Sequence, residues 1–322
     1  MDLFNTPNFQ KFELEAMKIF KYQATNNKIY RRFIDLLGID FKQVDRLQKV
    51  PFLPIEFFKS HDILSTNNPI EQVFTSSGTT GMMPSRHLVT DLKVYEASFR
   101  KGFDYFYGSI EDYTVLALLP GYLERKGSSL IYMVDDLIKK SNSKHSGFYL
   151  NELDALADIL IELDEKGEKI LLIGVTYALL DLIEKRDFQL NNTIIMETGG
   201  MKGKRRELVR TELHELLSNG FGVAQIHSEY GMTELLSQAY SLGDGVFETP
   251  PWMHILIRDT EDPFQELLTG RTGGINVIDL ANINSCSFIA TQDLGRKVGE
   301  NKFEVLGRFD HSDIRGCNLM VV

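Results

Sequence analysis

Apolar residues in the first part of the chain recur with the spacing of amphipathic helices. Over residues 8–48 they fall three or four positions apart, as in Phe12, Ala16 and Ile19. This period gathers apolar side chains on one face of an α-helix, so the pattern predicts a helical N-terminal region. Pro51 ends the pattern, because proline has no backbone N–H with which to continue a helix.

From residue 113 onward, short apolar runs alternate with longer amphipathic segments. The short runs predict buried strands, and the longer segments predict helices. Strands that alternate with helices are typical of an α/β fold built on a largely parallel sheet flanked by helices. The predicted strands cover residues 113–119, 169–173, 193–197 and 223–227, and the predicted helices cover residues 128–140, 153–164, 176–185 and 204–217.

The pattern changes again near residue 245, where strand-like segments follow one another with glycine-bearing turns between them. We therefore predict two parts, an α/β core over residues 1–244 and a β-rich subdomain over residues 245–322. The strands predicted in the second part cover residues 252–257, 274–280, 287–291 and 302–306.

Composition and net charge limit the class of function and the cellular location that we expect. The 322 residues carry a formal net charge of −10, which argues against a general nucleic-acid binder because such a protein needs a basic surface. Two cysteines imply no disulfide framework, and a reducing cytoplasm is the simplest location. The N-terminus lacks the features of a signal peptide, and the apolar stretch 170–180 is far shorter than the ~20 residues of a membrane span. We expect a cytoplasmic protein without a membrane span.

A run of hydroxyl-bearing residues and glycines follows the predicted strand 72–74. Residues 75–81 read Thr-Ser-Ser-Gly-Thr-Thr-Gly. Glycines allow the backbone to approach a phosphate, and amides and hydroxyls can donate to it, so the run predicts a phosphate-binding loop. It is not a Walker A loop, because no Gly-Lys-Ser/Thr follows. A flexible surface turn is the alternative explanation.

Three later motifs accompany this loop. Residues 228–234 read Ser-Glu-Tyr-Gly-Met-Thr-Glu, residues 291–296 read Thr-Gln-Asp-Leu-Gly-Arg, and residues 307–310 read Gly-Arg-Phe-Asp. In this order and at these separations, the four motifs resemble the adenylate-forming superfamily of acyl-CoA synthetases, luciferases and adenylation domains. The resemblance spans roughly residues 50 to 316, and each motif alone would be weak.

A narrower resemblance is to the acyl-protein synthetase family of the bacterial bioluminescence fatty-acid reductase complex. It rests on Pro-Phe-Leu-Pro-Ile-Glu-Phe-Phe-Lys at 51–59, the doubled serine at 76–77 and Pro-Ser-Arg at 84–86. Thr-Gly-Gly-Met-Lys at 198–202 also fits this family.

The resemblance implies a reaction in which a carboxylic acid and ATP form an acyl-adenylate with the help of Mg²⁺. Such a site must neutralise the growing charge on the phosphates and position the carboxylate for attack. Arg86 stands near the basic residue that closes the loop motif, with a surface arginine as the alternative. The nucleotide-binding residues that the resemblance implies are Thr75, Ser76, Ser77, Gly78, Thr79, Thr80, Gly81, Arg86, Gly199, Gly200, Tyr230, Gly231, Thr233, Asp293 and Arg308.

The resemblance also assigns roles within the 228–234 motif. It implies that Tyr230 stacks on adenine, that Thr233 bonds the α-phosphate in catalysis, and that Glu234 coordinates the metal. A carboxylate suits this last role, because Mg²⁺ is a hard cation that prefers oxygen ligands. The alternative is a capped helix start, with Thr233 and Glu234 in the first turn of a helix.

Two further pairs complete the implied nucleotide site. Gly199 and Gly200 follow a predicted strand and would let adenine lie against bare backbone, although a simple strand-ending turn explains them too. Asp293 and Arg308 fit the two ribose contacts, since an ionised carboxylate can accept hydrogen bonds from both ribose hydroxyls. A surface salt bridge is the competing account of this second pair.

The chain departs from the superfamily near its end. Relatives carry a small lid domain after the Gly-Arg-x-Asp hinge, and the lysine that polarises the carboxylate lies in that lid. Only twelve residues follow Asp310 here, so we expect the lid to be absent or vestigial. Cys317 has the general location of the cysteine that carries the acyl group in acyl-protein synthetases. A plain buried thiol is the alternative.

The sequence therefore favours an ATP-dependent ligase that activates a fatty or other apolar acid and transfers the acyl group to a thiol. The acceptor expected from the narrower resemblance is a protein, such as a reductase-like partner. Coenzyme A is the alternative acceptor, as in acyl- and aryl-CoA ligases. A different class of function, a non-catalytic AMP- or acyl-AMP-binding subunit, is suggested by the missing lysine.

Overall fold

A twelve-stranded mixed sheet runs through the molecule in a computed structural model that describes residues 3–76, 83–120, 127–150, 152–199 and 208–309. The α-helices within these residues are α1 (Phe9–Asn26), α2 (Lys28–Leu36), α3 (Phe57–Ser60), α4 (Leu92–Tyr107), α5 (Ser129–Lys140), α6 (Leu153–Glu165), α7 (Thr176–Lys185) and α8 (Arg210–Phe221). None of these helices is both long and apolar enough to cross a membrane.

The strands divide between the large sheet and one separate hairpin, in which β2 and β3 pair antiparallel. In chain order they are β1 (Leu53–Pro54), β2 (Gln72–Thr75), β3 (Arg86–Val89), β4 (Thr114–Leu118), β5 (Gly147–Phe148), β6 (Ile170–Gly174), β7 (Thr193–Glu197), β8 (His227–Tyr230), β9 (Ala239–Ser241), β10 (Val246–Glu248), β11 (Met253–Arg258), β12 (Thr272–Asp279), β13 (Phe288–Lys297) and β14 (Lys302–Arg308).

The large sheet joins a parallel half to an antiparallel half. Its strands follow the order β5-β4-β6-β7-β8-β9-β10-β14-β13-β12-β11, and β1 pairs with β13. The first five are parallel, and the pairings from β8–β9 onward are antiparallel. This arrangement confirms the predicted α/β fold with a β-rich distal part. Because one sheet contains both halves, the division of the chain at residue 244 stays a prediction.

The register of the parallel half places its carboxyl ends side by side. Leu118 on β4 is opposite Gly174 on β6, which in turn is opposite Glu197 on β7. Glu197 pairs with Ser228 on β8. The segments that leave these strands therefore emerge at one edge of the sheet, which is where open α/β sheets bind ligands.

Two hydrophobic cores support the sheet. The first core packs helices α4 to α8 around β4, β6 and β7, whose central residues are fully buried, as expected of parallel strands covered on both faces. The second core packs the N-terminal helices against the antiparallel half. In it, the rings of Phe20 and Tyr30 lie 5.8 and 6.4 Å from the ring of Phe288. The N-terminal helices therefore cover the distal strands.

Most predicted elements appear close to their expected places, and two are displaced. The strand predicted at 223–227 begins only at His227, because the preceding residues end α8: Gly222 has φ +67° and the Val223 amide donates to the Ser218 carbonyl. The helix predicted at 204–217 begins at Arg210 within the described residues, which exclude 200–207. The short strands β1, β3, β5, β9 and β10 were not predicted from the sequence.

Candidate nucleotide-binding cleft

The described ends of the Ser/Thr/Gly loop are tied to each other. The Ser76 amide donates to the Ser85 carbonyl at 3.1 Å, and the Ser85 amide and hydroxyl both donate to Ser76 Oγ at 2.9 Å. The Thr75 amide donates to the Gly127 carbonyl at 2.8 Å. These bonds close the neck of a loop, as expected where a hairpin presents a ligand-binding segment. The loop residues Ser77, Gly78, Thr79, Thr80 and Gly81 lie outside the described part of the chain.

The segment after β8 forms a turn and no helix. Tyr230 is the last residue of the strand, and the Leu235 amide donates to the Met232 carbonyl at 3.0 Å. Thr233 and Glu234 lie in this turn, and no helix begins at either residue. The alternative explanation of this motif as a capped helix start is therefore wrong. A helix macrodipole cannot account for the acidic residue at position 234.

A buried histidine fixes the backbone of this turn. The His87 ring lies 2.9 Å from the Thr233 carbonyl through Nδ1 and 2.9 Å from the Ser285 hydroxyl through Nε2. A carbonyl oxygen can only accept, so Nδ1 carries the proton and Nε2 accepts from the hydroxyl. Burial lowers the pKa of His87 to about 4, which keeps the ring neutral and preserves this pattern at neutral pH. No motif in the sequence had marked His87 as a functional residue.

Two further side chains hold the residues that follow. Asp279 accepts from the backbone amides of Leu236 and Ser237, each at 2.9 Å, and from the Ser237 hydroxyl at 2.6 Å. The Asn282 amide group donates to the Glu234 carbonyl at 2.8 Å. All of these groups are buried, so each bond forms where water is excluded and its loss would be costly. The turn is therefore held by contacts from the other half of the sheet.

The predicted ribose-binding residues meet across two neighbouring strands. Asp293 on β13 pairs in register with Arg308 on β14, and Arg308 Nε donates to Asp293 Oδ1 at 3.1 Å. The Tyr230 hydroxyl donates to Asp293 Oδ2 at 2.8 Å. Asp293 is buried, whereas the Arg308 side chain is 78% exposed. Each carboxylate oxygen keeps a free lone pair for a ligand hydroxyl.

The Tyr230 ring points into the second hydrophobic core. It packs against the rings of Phe247 and Phe303 at 5.8 and 5.5 Å, and the residue is buried in the second core. In this arrangement Tyr230 supports Asp293 through its hydroxyl. The expected stacking of this ring on adenine stays a prediction.

Two other expected nucleotide contacts have partners within the protein. Arg86 is exposed on β3 and forms an ion pair with Asp62 at the surface. Gly199 follows β7 with φ +73°, and its amide donates to Glu197 Oε2 at 2.6 Å. Gly200 and Cys317 lie outside the described residues. The roles assigned to these four residues stay predictions.

The loop neck, the turn and the ribose pair surround one cleft of about 640 Å³ at the carboxyl edge of the parallel strands. Of the described candidates, Thr75, Ser76, Gly231, Thr233, Glu234, Asp293 and Arg308 line it. Arg86, Gly199 and Tyr230 do not. The other lining residues are Ile55, Lys59, Met83, Ser85, Tyr95, Ser128, Ser129, Leu130, Met133, Thr198, Glu229, Met232, Gln238, Thr291 and Gln292.

Glu234 is a buried carboxyl that faces this cleft. Burial raises the pKa of the Glu234 carboxyl, and hydrogen bonding to Ser85 opposes that rise. Within the described residues no cationic side chain forms a salt bridge with it. A buried carboxyl without a cationic partner is costly, and a bound cation would relieve that cost. The environment of Glu234 therefore fits a metal ligand.

Lys59 and Glu229 are cleft residues that the analysis of the sequence missed. Among the described residues that line the cleft, Lys59 is the only lysine. Lys59 is the last residue of the segment 51–59 that carries the narrower resemblance, and this position was the signal in the sequence for a functional role. Glu229 precedes Tyr230, and burial together with the charge of Glu197 raises the pKa of Glu229 to about 8.

Comparisons with known proteins agree with this geometry. No family model matches the chain. The long-chain-fatty-acid–luciferin-component ligase of Vibrio harveyi is 23% identical over 93% of this chain and 84% of its own length. The resemblance to acyl-protein synthetases and to the wider adenylate-forming superfamily is thus confirmed.

Solved structures show the same fold. A 2-hydroxyisobutyryl-CoA ligase, captured with 2-HIB-AMP and CoA, matches 94% of this chain and 70% of its own at a TM-score of 0.65 and 12% identity. ATP-bound MatB from Rhodopseudomonas palustris matches 76% of this chain and 49% of its own at a TM-score of 0.56 and 18% identity. At these identities the likeness establishes the fold.

We expect Glu229→Gln to flatten the dependence of the unfolding free energy on pH. The folded pKa of about 8 lies above the ordinary value of 4.5, so the wild-type protein loses stability as the pH rises from 4.5 through 8. Glutamine does not titrate, and the variant should avoid a loss of roughly 2–4 kcal/mol over that range. Urea unfolding at pH 5 and pH 8 measures this, with Glu165→Gln on the exposed end of α6 as the control. Parallel pH profiles of wild type and Glu229→Gln would contradict the assignment.

Proposed function

We propose that this chain activates a carboxylic acid with ATP and then transfers the acyl group to a thiol. The observation that carries the proposal is the convergence of residues from four separate motifs on one cleft. Thr75 and Ser76 at the loop neck, the turn at 231–234, and the pair Asp293 and Arg308 all line it. The four-motif sequence pattern and the ligase relatives support the same activity.

The proposed reaction has two steps. A carboxylate oxygen of the acid attacks the α-phosphorus of ATP, the bond to the bridging oxygen breaks, and pyrophosphate leaves with the electron pair. A thiolate then attacks the acyl carbon and AMP departs. Neither step requires oxidation or reduction. In the first step the protein acts by positioning the two reactants and by stabilising the charge on the phosphates.

The cleft residues divide these tasks. The hydroxyls of Thr75 and Ser76 donate to the outer phosphates together with the loop beyond them. The Thr233 hydroxyl donates to the α-phosphate, and the His87 contact to its carbonyl keeps Thr233 in place. Asp293 accepts hydrogen bonds from the ribose, while Arg308 donates to the same carboxylate.

Mg²⁺ fits Glu234. Within the described residues no cluster of three His, Cys, Asp or Glu side chains could hold a metal ion. Mg²⁺ does not need such a cluster, because it is commonly held by one or two carboxylates together with the substrate phosphates. When bound, the ion would neutralise charge on the phosphates of ATP. The Glu234 carboxyl would hold it from the protein side.

Lys59 is our candidate for the cation that meets the reacting carboxylate and α-phosphate. The resemblance to the adenylate-forming superfamily implies a lysine from a lid domain for this contact. Lys59 lines the same cleft as Thr233, and its charge lowers the pKa of Glu234 against the effect of burial. A lysine ammonium on a flexible stem can reach an anion from the end of a short helix such as α3.

The acid and the acceptor are proposed from the relatives. The name of the Vibrio harveyi relative points to a long-chain fatty acid. The resemblance of the sequence to acyl-protein synthetases suggests a protein acceptor, such as a reductase-like partner. Coenzyme A, present in the 2-hydroxyisobutyryl-CoA ligase structure, is the alternative acceptor. Cys317 would carry the acyl group in the first case. We place the enzyme in the cytoplasm, where ATP and reduced thiols are available.

Acid-dependent release of pyrophosphate tests the proposed activity. The protein is incubated with Mg·ATP and a panel of acids, first alone, then with coenzyme A, and then with candidate acceptor proteins. Release that depends on the acid supports adenylation, and label that moves from a radioactive acid to one acceptor identifies the thiol. Binding of AMP without release by any acid would instead indicate a non-catalytic nucleotide-binding subunit.

We expect Glu234→Gln to weaken binding of Mg·ATP at least tenfold while changing AMP affinity less than threefold. The substitution keeps the size of the side chain but removes the charge that a divalent cation needs. AMP binds without a bridging metal, so it reports on the rest of the site. Calorimetric titration of each nucleotide measures the two affinities. Equal losses for both nucleotides would end the metal assignment.

We expect Lys59→Met to lower the rate of acid-dependent pyrophosphate release about 10²-fold, on the scale of losing one donor to a developing anion. Methionine keeps the length of the apolar stem, so folding and AMP affinity should stay near wild type. Lys42→Met, at an exposed position outside the cleft, is the control. A rate within twofold of the wild type would assign the contact to another cation.

A further inference from the structure

Two polar side chains on the inner wall of the cleft face it without partners. Glu229 lies one residue before the end of β8, and Gln238 lies one residue before the start of β9, the neighbouring strand. Both line the cleft. Within the described residues, neither the Glu229 carboxyl nor the Gln238 amide group forms a side-chain hydrogen bond or an ion pair.

Their surroundings make this lack of partners costly. Gln238 is only 6% exposed, and burial raises the pKa of Glu229 to about 8. Side-chain amides and carboxyls that are removed from water normally find hydrogen-bond partners inside the protein. Where they do not, the missing partner is often a ligand, and perturbed carboxyls in clefts are candidates for functional sites. If Glu229 and Gln238 had only a structural role, we would expect the protein to provide a hydrogen-bond partner for each of them.

The geometry around Gly231 directs Glu229 into the cleft. Successive residues of a strand point to opposite sides, so Glu229 and Gly231 face the cleft while Tyr230 points into the second core. A Cβ atom on Gly231 would lie 2.3 Å from Glu229 Oε1 and 3.3 Å from Gln238 Cγ. The bare glycine therefore leaves room for both polar side chains to sit beside each other.

This polar pair lies on the side of the cleft formed by α4 and α5. Tyr95 of α4 lines the cleft there, and burial together with the nearby Glu229 raises the pKa of its hydroxyl. Leu130 and Met133 of α5 add apolar surface to the same wall. The residues proposed to bind phosphates and ribose come from other elements, namely the loop neck after β2 and the strands β13 and β14. The wall at α4 and α5 is therefore left for the acid.

We propose that Glu229 and Gln238 form a polar subsite for the acyl group, so that the acid substrate carries a hydrogen-bond donor, either a hydroxyl or an amino group, on an otherwise apolar chain. This inference rests on the proposed function, because it assigns the remaining wall of the same cleft. A protonated or ionised Glu229 can accept from such a donor, and the Gln238 carbonyl oxygen can do the same. A plain fatty acid would leave both groups without hydrogen-bond partners. A site built to hydrogen-bond its substrate rejects an analogue that lacks the bonding group.

Binding of stable acyl-adenylate mimics tests the subsite without depending on catalysis. Acyl-sulfamoyl adenosines are prepared with a four-carbon acyl chain that is plain, or that carries a hydroxyl or an amino group at carbon 2 or carbon 3. Dissociation constants are measured by calorimetry for the wild type, for Glu229→Leu, and for the control Glu165→Leu on the exposed end of α6. AMP is titrated in parallel as a reference for the nucleotide site.

We expect the best donor-bearing mimic to bind the wild type at least tenfold more tightly than the plain mimic, a ratio typical of one hydrogen bond to a charged or buried group. Glu229→Leu should remove this preference, and Glu165→Leu should keep it. The amino and hydroxyl series then distinguish the two kinds of donor. If Glu229→Leu does not fold, Glu229→Ala and Gln238→Leu serve in its place, and each should reduce the preference at least threefold, because each removes one acceptor.

The other outcomes distinguish a failure of the polar subsite from a failure of the proposed function. If AMP and the mimics bind but the plain mimic binds as tightly as every donor-bearing one, the polar subsite is wrong and the nucleotide site stands. An unchanged preference in Glu229→Leu, or in both replacement variants, also overturns the subsite. If neither AMP nor any mimic binds, the proposed function itself fails, and the subsite fails with it.

Discussion

The hydrogen bonds that hold residues 231–238 from outside are the constraint on which the cleft depends. This segment connects β8 to β9 without a regular ladder of its own, so its buried backbone groups need partners from elsewhere. Asp279 and Asn282, from the segment that ends β12, bind it on one side, and His87 of β3 binds it on the other. The turn therefore takes its shape only when the distal strands and the β2–β3 hairpin are both in place.

The same segment links the two hydrophobic cores. The indole N–H of Trp252, in the second core, donates to Ser98 of α4 at 3.0 Å and to Ser237 of the turn at 3.1 Å. Ser237 in turn donates to Asp279. A buried polar network of this kind is stable only when every member has a partner. The cleft is thus built at the junction of the parallel and antiparallel halves, where neither core alone could shape it.

Charge is distributed unevenly around this junction. The half-buried carboxyl of Glu229 and the buried carboxyl of Glu234 lie in the wall of the cleft, which the cationic side chains of Lys59 and Arg308 also line. Burial raises the pKa of both carboxyls, which is a cost to the folded protein unless a ligand or a metal ion compensates. This distribution suits a ligand with two different ends. One end carries phosphates, which need cations, and the other end carries a hydrogen-bond donor, which needs an acceptor.

The sequence by itself determined the class of fold and the motif residues of the candidate nucleotide site. Apolar runs and helical periodicity are local properties, and they predicted α7 and β7 at their observed bounds; the motif residues Thr75, Ser76, Thr233, Glu234, Asp293 and Arg308 all line the cleft. Tertiary structure alone decided that Tyr230 points into the core, and that His87, Lys59, Glu229 and Gln238 join or support the cleft. The reason is physical: whether a strand-end side chain faces a ligand or a core depends on which elements cover each side of the sheet, and those elements lie far away in the sequence.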